Sequence, residues 1–270
     1  MKSLINFALV GGLILLVSAP AQAKILIENI QACYGPYGPE RKSLELYPFD
    51  VLFMRFTVSG LQTAASGNVD AVVKLKWTDP NGKVLDETSF PSTGILHLGG
   101  NSFPFLTQLR MPDQIPLGKN KITVTVTDNL SKESASFERQ FTGHKSKLQI
   151  VALEFFHDAD SKFPSSTNLP LGEPLHFRLR VIGFDRSKGK IHTVMAVQTL
   201  DGAGKENIPK PLLSDVHEED ARAVQKFGFV FFTGRIGLNR VGTFTLRITV
   251  TDRMTDQSTK IEVPVTVTAP

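Results

Sequence analysis

The 270-residue chain carries 30 Lys and Arg against 26 Asp and Glu, a formal charge of +4, and 41% hydrophobic residues. The two signs are interspersed with no block of five or more like charges, which argues against a nucleic-acid stripe or a polybasic membrane patch. A single cysteine, Cys33, excludes an internal disulfide framework, so hydrophobic cores must supply the stability.

The chain opens as a targeting signal. Lys2 supplies a positive start, "FALVGGLILLV" (7–17) is an apolar core too short to span a bilayer comfortably, and "SAPAQA" offers small residues at Ala21 and Ala23. Residues 1–23 are therefore expected to be removed, leaving a mature chain from Lys24 with no transmembrane segment, exported to the periplasm or secreted. About 247 residues then suit two domains of ordinary size.

From Lys24 onward the pattern is period two. Strands are expected near 25–31, 51–59, 69–77, 83–88, 93–98 and 102–110, with "DPNGK" (79–83) as a turn built on Asp-Pro and Asn-Gly. "ITVTVT" alternates apolar residues with threonines, so one face is buried and the other wet. "DNLSK" breaks that run and alternation resumes at Ala135, Phe137 and Phe141, the mark of a β-hairpin. After "TGHKSK" (142–147) the series begins again near 148–156, 174–183, 191–199 and 227–233. "SDVHEEDARAVQ" (214–225) reads as a helical turn with an acidic start.

The second series is a copy of the first. With Thr127-Asp128 laid on Thr251-Asp252, Ile122, Val124 and Val126 fall on Leu246, Ile248 and Val250, Phe141 falls on Val265, and Gly118 on Gly242. A shift of one or two residues brings "FMRFTVSGL" onto "HFRLRVIGF" and "WTDPNGK" (77–83) onto "TLDGAGK" (199–205). A repeat this long is a duplicated domain. The expected division is a first β-sandwich over 24–143, a short linker at 144–146 and a second β-sandwich over 147–270. Short strands, frequent turns and little helical periodicity make the fold class all-β, two antiparallel sandwiches in tandem, held as a rod or a bent pair by so short a linker.

"GTFTLRITVTDRMTDQSTKIEVPVTV" resembles the last two strands of bacterial immunoglobulin-like and fibronectin-type-III-like modules, and "YGPYGPERKSLELYPFDVLFMRFTVSG" is similar to the start of exported bacterial proteins with two such modules. The resemblance covers essentially the mature chain and implies the architecture. It implies no catalytic residues, and the Cys–Trp–Cys core of antibody domains is missing around Trp77.

Nothing in the sequence assembles a nucleophile, a base and an orienting group: there is no G-x-S-x-G elbow and no H-E-x-x-H. His176 lies in a strand and His144 in the linker. "HDADSK" places Asp158 and Asp160 in an i, i+2 arrangement that a calcium loop could use, and "HEED" (217–220) is a denser acidic cluster. The glycine and distal glutamate of a calcium loop are missing, so both read as solvated loops, and Asp128 and Asp252 as turn residues bonding their own backbone. No metal, no cofactor and no catalysis is expected.

"CYGPYGPER" (33–41) is the stretch that stands apart. Prolines and glycines make it a stiff loop. Exposed Tyr34 and Tyr37 could stack on a sugar or anchor a protein partner, with Arg41 adding a polar contact; the plainer alternative packs both rings over the sandwich end. Cys33 reads as a small, partly buried hydrophobe, with a disulfide between chains as the other option. The functional expectation is an exported, non-catalytic binding or structural module presenting loops and edge strands to an envelope protein. The alternatives are a carbohydrate-binding module using Tyr34 and Tyr37 and, last, a metal-dependent hydrolase.

Overall fold

A computed structural model describes residues 24–226 and 228–270. The expected signal segment lies outside the described residues. The first series of strands comprises β1 (Leu26–Cys33), β2 (Glu45–Leu46), β3 (Val51–Ser59), β4 (Asn68–Thr78), β5 (Val84–Ile95), β6 (Ser102–Arg110), β7 (Gly118–Asp128) and β8 (Ser134–Gly143). The second comprises β9 (Gln149–Phe156), β10 (Asn168–Pro170), β11 (Pro174–Ile182), β12 (Ile191–Leu200), β13 (Leu212–Glu218), a short helix α1 (Ala221–Lys226), β14 (Phe229–Gly237), β15 (Gly242–Asp252) and β16 (Gln257–Thr268).

The strands form four sheets. In the first series a three-stranded sheet, β1-β3-β6, faces a five-stranded sheet, β2-β8-β7-β4-β5. In the second, β9-β11-β14 faces β10-β16-β15-β12-β13. The two orders are the same order with each strand replaced by its copy, and this is an immunoglobulin-like sandwich made twice. All long pairings are antiparallel; the short β2 and β10 run parallel to β8 and β16 and cover one edge of each large sheet.

Alternation decides which residues enter the core. Along β7, Ile122, Val124 and Val126 are fully buried while the threonines between them are not, and Leu246, Ile248 and Val250 repeat this on β15. One core runs from Ile25 to Phe141 and a second from Leu148 to Val267. A third, smaller cluster joins Tyr47 and Phe49 of the first series to Val151, Ile182 and Phe229 of the second.

The β7–β8 and β15–β16 hairpins are closed alike. Asp128, fully buried, accepts from Leu130 N at 2.9 Å and Ser131 Oγ at 2.8 Å; Asp252 accepts from Met254 N at 2.9 Å and Thr255 Oγ1 at 3.0 Å. Each carboxylate also takes a bond from a distant loop, Gln62 N and Asp185 N respectively, both at 2.8 Å. The turn residues thus bond their own backbone, as expected, and pin a second loop as well.

Two expectations need correction. The strands expected at 83–88 and 93–98 are one strand, β5, which continues through Pro91 because it lies at the sheet edge, where proline is tolerated. The segment expected as a helical turn at 214–225 is split: Leu212–Glu218 pairs along Ile191–Val197 as edge strand β13, and only Ala221–Lys226 is helical. Asp220 caps that helix through Arg222 N at 2.9 Å, and Val224 anchors it in the second core.

Candidate functional site

The 33–41 loop is built by its own backbone. Cys33 bridges Glu40, Tyr34 N donates to Pro39 O at 3.0 Å, Gly38 N to Gly35 O at 3.1 Å, and Arg41 N to Ala32 O at 2.7 Å. The loop then lies against β9 of the second sandwich, where Leu153 N donates to Tyr34 O at 2.9 Å. Its glycines are what allow that approach: a Cβ on Gly35 would stand 2.4 Å from Glu154 Cγ, and one on Gly38 2.3 Å from the Leu153 carbonyl oxygen.

The three residues singled out from the sequence therefore have three different surroundings. Tyr34 is half-buried against the second core, and burial raises its phenol pKa. Arg41 is buried beneath the loop. It donates to both oxygens of Asp50, at 2.9 and 2.7 Å, and to Glu45 O at 2.7 Å, with its guanidinium 5.4 Å from the Tyr34 ring. Burial works against the charge on Arg41, and the Asp50 carboxylate more than offsets it, so the pKa lies above the ordinary arginine value. Tyr37 alone turns its ring outward, 62% exposed, beside a shallow groove lined by Pro36, Arg55, Phe56 and Leu106. Cys33 is fully buried, and burial pushes its thiol pKa up, which places it out of reach of a second chain's cysteine.

The sequence reading missed the other half of this junction. Phe49 holds a left-handed backbone, φ 66°, at the position where the second sandwich has Gly172, φ 93°. Its ring packs so closely on Gly228 that a Cβ there would stand 2.6 Å from it. Beside it, Arg180 lies 3.6 Å from the centre of the Phe229 ring; burial and the nearby Arg110 charge lower its pKa. Tyr47 stacks on His144 at 5.4 Å. The signal available in the sequence was Phe49 opposite Gly172 in the repeat: a bulky residue where the copy needs glycine.

The remaining titratable clusters are surface ion pairs and turns. Asp158 accepts from Lys162 N and Phe163 N, Asp160 pairs with Lys162 at 2.9 Å, and Glu218 accepts from Glu219 N and Asp220 N. His157 faces Glu173 at 3.5 Å and His217 faces Glu219 at 3.4 Å. Among the described residues no group of three His, Cys, Asp or Glu is arranged to hold a metal ion, and no helix is long and apolar enough to cross a membrane.

No protein-family model matches the chain, and no curated protein matches it in sequence. Among solved structures it is similar to the C-terminal domain of the Streptococcus agalactiae antigen I/II polypeptide BspA, at 10% identity over 89% of this chain and 100% of that one, with a TM-score of 0.30. It is also similar to red sea bream transglutaminase, at 9% identity over 93% of this chain and 32% of that one, with a TM-score of 0.25. At scores this low neither likeness bears on function, and the fold rests on the strand order itself.

Proposed function

We propose that this chain is an exported, non-catalytic binding or structural module of the envelope or extracellular space, in which two immunoglobulin-like sandwiches act as one rigid scaffold and present loops and edge strands to a protein partner. The observation that carries the reading is the junction. A glycine-dependent loop, braced from beneath by a buried ion pair, and a strained phenylalanine fix one sandwich against the other, and rigid scaffolds are what binding loops require. The protein-facing features are the exposed ring of Tyr37 and the outer edges of the large sheets, where Val84 and Leu85 on β5 and Leu212 and Leu213 on β13 lie open to solvent. The carbohydrate reading has less support, because Tyr34 lies against the second core and the two rings do not form one platform.

Three measurements test it. Small-angle scattering should give one fixed inter-sandwich distance, and Gly38→Val should broaden it; a broad distribution in the unaltered protein would overturn the rigid scaffold. Capture from a solubilised envelope fraction should retain a partner that Tyr37→Ala or Leu213→Lys releases. A turnover of any envelope polymer that one alanine substitution abolishes would overturn the non-catalytic reading.

A further inference from the structure

The two sandwiches differ at one end, and the difference is a cavity. In the first, Trp77 pairs across the sheet with Ile122, and Asn120 with Phe141. The indole lies 6.0 Å from the Phe141 ring and donates to Asn120 Oδ1 at 3.1 Å; Asn120 in turn donates to Pro116 O and Gly118 O at 3.0 and 2.9 Å. That end is plugged and its polar groups are satisfied. In the second sandwich the same ladder positions pair Thr199 with Leu246 and Phe244 with Val265. Tryptophan has become threonine and phenylalanine has become valine. Two large side chains are missing from one spot, and Phe244, in place of Asn120, does not refill it.

A second change widens the gap. In the first sandwich β5 follows the "DPNGK" turn directly, with Thr78 paired to Val84. After the equivalent turn Leu200 still bridges Glu206, but the second sandwich carries two extra residues before continuous β12–β13 pairing starts at Val197 and Leu212. Asn207 and Ile208 of this widened stretch form a wall. The result is a cavity of about 510 Å³ that reaches Leu175, Leu246, Val265 and Val267 of the core. This is the size and character of a small-molecule site: apolar walls with a few placed polar groups.

The charged side chain beside the cavity is cationic. Arg240 stands there with the neutral Asn207 and Asn239, Arg235 lies on the outward face of β14, and among the described residues no carboxylate lines the cavity. Arg240 is held in place by its stack on Phe244 at 4.9 Å and by its bond to Asn207 Oδ1 at 2.8 Å; Asn207 N donates to Thr199 O at 2.9 Å. From this we infer that the open end of the second sandwich is a binding site for an anionic amphiphile, a medium-length acyl or aryl carboxylate. Its apolar body enters between the sheets where the first sandwich keeps Trp77, and its carboxylate meets Arg240. The inference goes beyond the scaffold reading and stands whether or not a protein partner is found.

The experiment is calorimetric titration of the purified protein with decanoate, with decan-1-ol in parallel. Saturable one-to-one decanoate binding is expected. Thr199→Trp, which restores the plug of the first sandwich, and Val265→Phe, which restores its neighbour, should each weaken binding at least tenfold with the circular dichroism spectrum retained; the second variant decides if the first does not fold. Arg240→Gln should weaken decanoate at least tenfold and leave decanol unchanged. No saturable binding, binding unaffected by the filling variants, or equal loss of acid and alcohol in the arginine variant would each overturn the assignment.

Discussion

The two sandwiches share a strand order and nearly a sequence pattern, yet the same end of each is finished differently. In the first, Trp77, Asn120 and Phe141 close the end, and the surface beyond them faces the second sandwich across a cleft lined by Leu117, Gly143, Leu148 and Ser258. In the second, Thr199, Phe244 and Val265 leave the end open. The buried Arg41–Asp50 pair has a similar history. Ser165 stands in place of Arg41, each donating its backbone N–H to the preceding strand, and Glu173 stands in place of Asp50, on the surface beside His157. One strand order is built twice, and the two ends differ in whether they meet another sandwich or solvent.

The largest effect that could break this comparison is at the ion pair. Asp50→Ala leaves Arg41 charged and buried without its partner and should cost about 3–5 kcal/mol in urea unfolding, whereas Glu173→Ala, at the matching exposed site, should change the midpoint little. A comparable loss, about 3–5 kcal/mol, is expected for Trp77→Ala, since it removes a packed indole and strands Asn120. No equivalent loss is available at Thr199, so unfolding of Thr199→Ala should nearly superimpose on that of the unaltered protein.

The hairpin carboxylates sharpen the comparison from the other side, because here the copies agree. Asp128→Ala and Asp252→Ala should each cost about 1–3 kcal/mol, by similar amounts. Burial tends to raise the Asp128 carboxyl, and its bonds from Gln62, Leu130 and Ser131 outweigh this and hold it below the usual range. A folded-state pKa below the unfolded one gives stability that is present above about pH 3.9 and is lost as pH falls through the folded value. The gap between the unaltered protein and Asp128→Ala should therefore close on acidification, as seen in unfolding midpoints between pH 7 and pH 3.

Smaller effects are expected at the shared left-handed position. Gly172→Ala meets no neighbour within 4 Å and should cost about 1–2 kcal/mol from backbone strain alone. Phe49→Gly relieves the same strain but gives up the ring packed at Gly228, so its main readout is a broader inter-sandwich distance in scattering. Smallest of all, Tyr37→Ala should leave the melting curve within about 0.5 kcal/mol of the original.

How much of this was legible follows from the range of the contacts. The "ITVTVTD" strands and their turns could be read directly, because period two and an aspartate bonding its own turn are local properties. The two- and three-residue β2 and β10 could not, since no periodicity fits in so few residues. "SDVHE" was read as the start of a helical turn for its acidic run, although it continues the alternation of an edge strand from Leu212. The packing of the loop was illegible for a long-range reason. "CYGPYGPER" was singled out as unusual, and its glycines serve an approach to Leu153 and Glu154, more than a hundred residues away in the chain. The open end lay in plain view, with "WTDPNGK" aligned on "TLDGAGK"; only the packed end of the first copy reveals what the exchange of tryptophan for threonine removes.

The parallel pairing of β2 with β8 and β10 with β16 has a mechanical consequence. In each sandwich a strand near the start of the repeat lies alongside the strand that ends it, pointing the same way. A pull on the two ends of the chain would drag these partners in opposite directions along their common axis. Their hydrogen bonds would then share the load at once instead of opening one after another, as they would in a hairpin peeled from its tip. The bond from Leu171 N to Thr268 O at 2.9 Å and that from His144 N to Leu46 O at 2.9 Å sit at these clamps. Each sandwich thus carries a short clamp aligned with the direction in which tension on the chain would act.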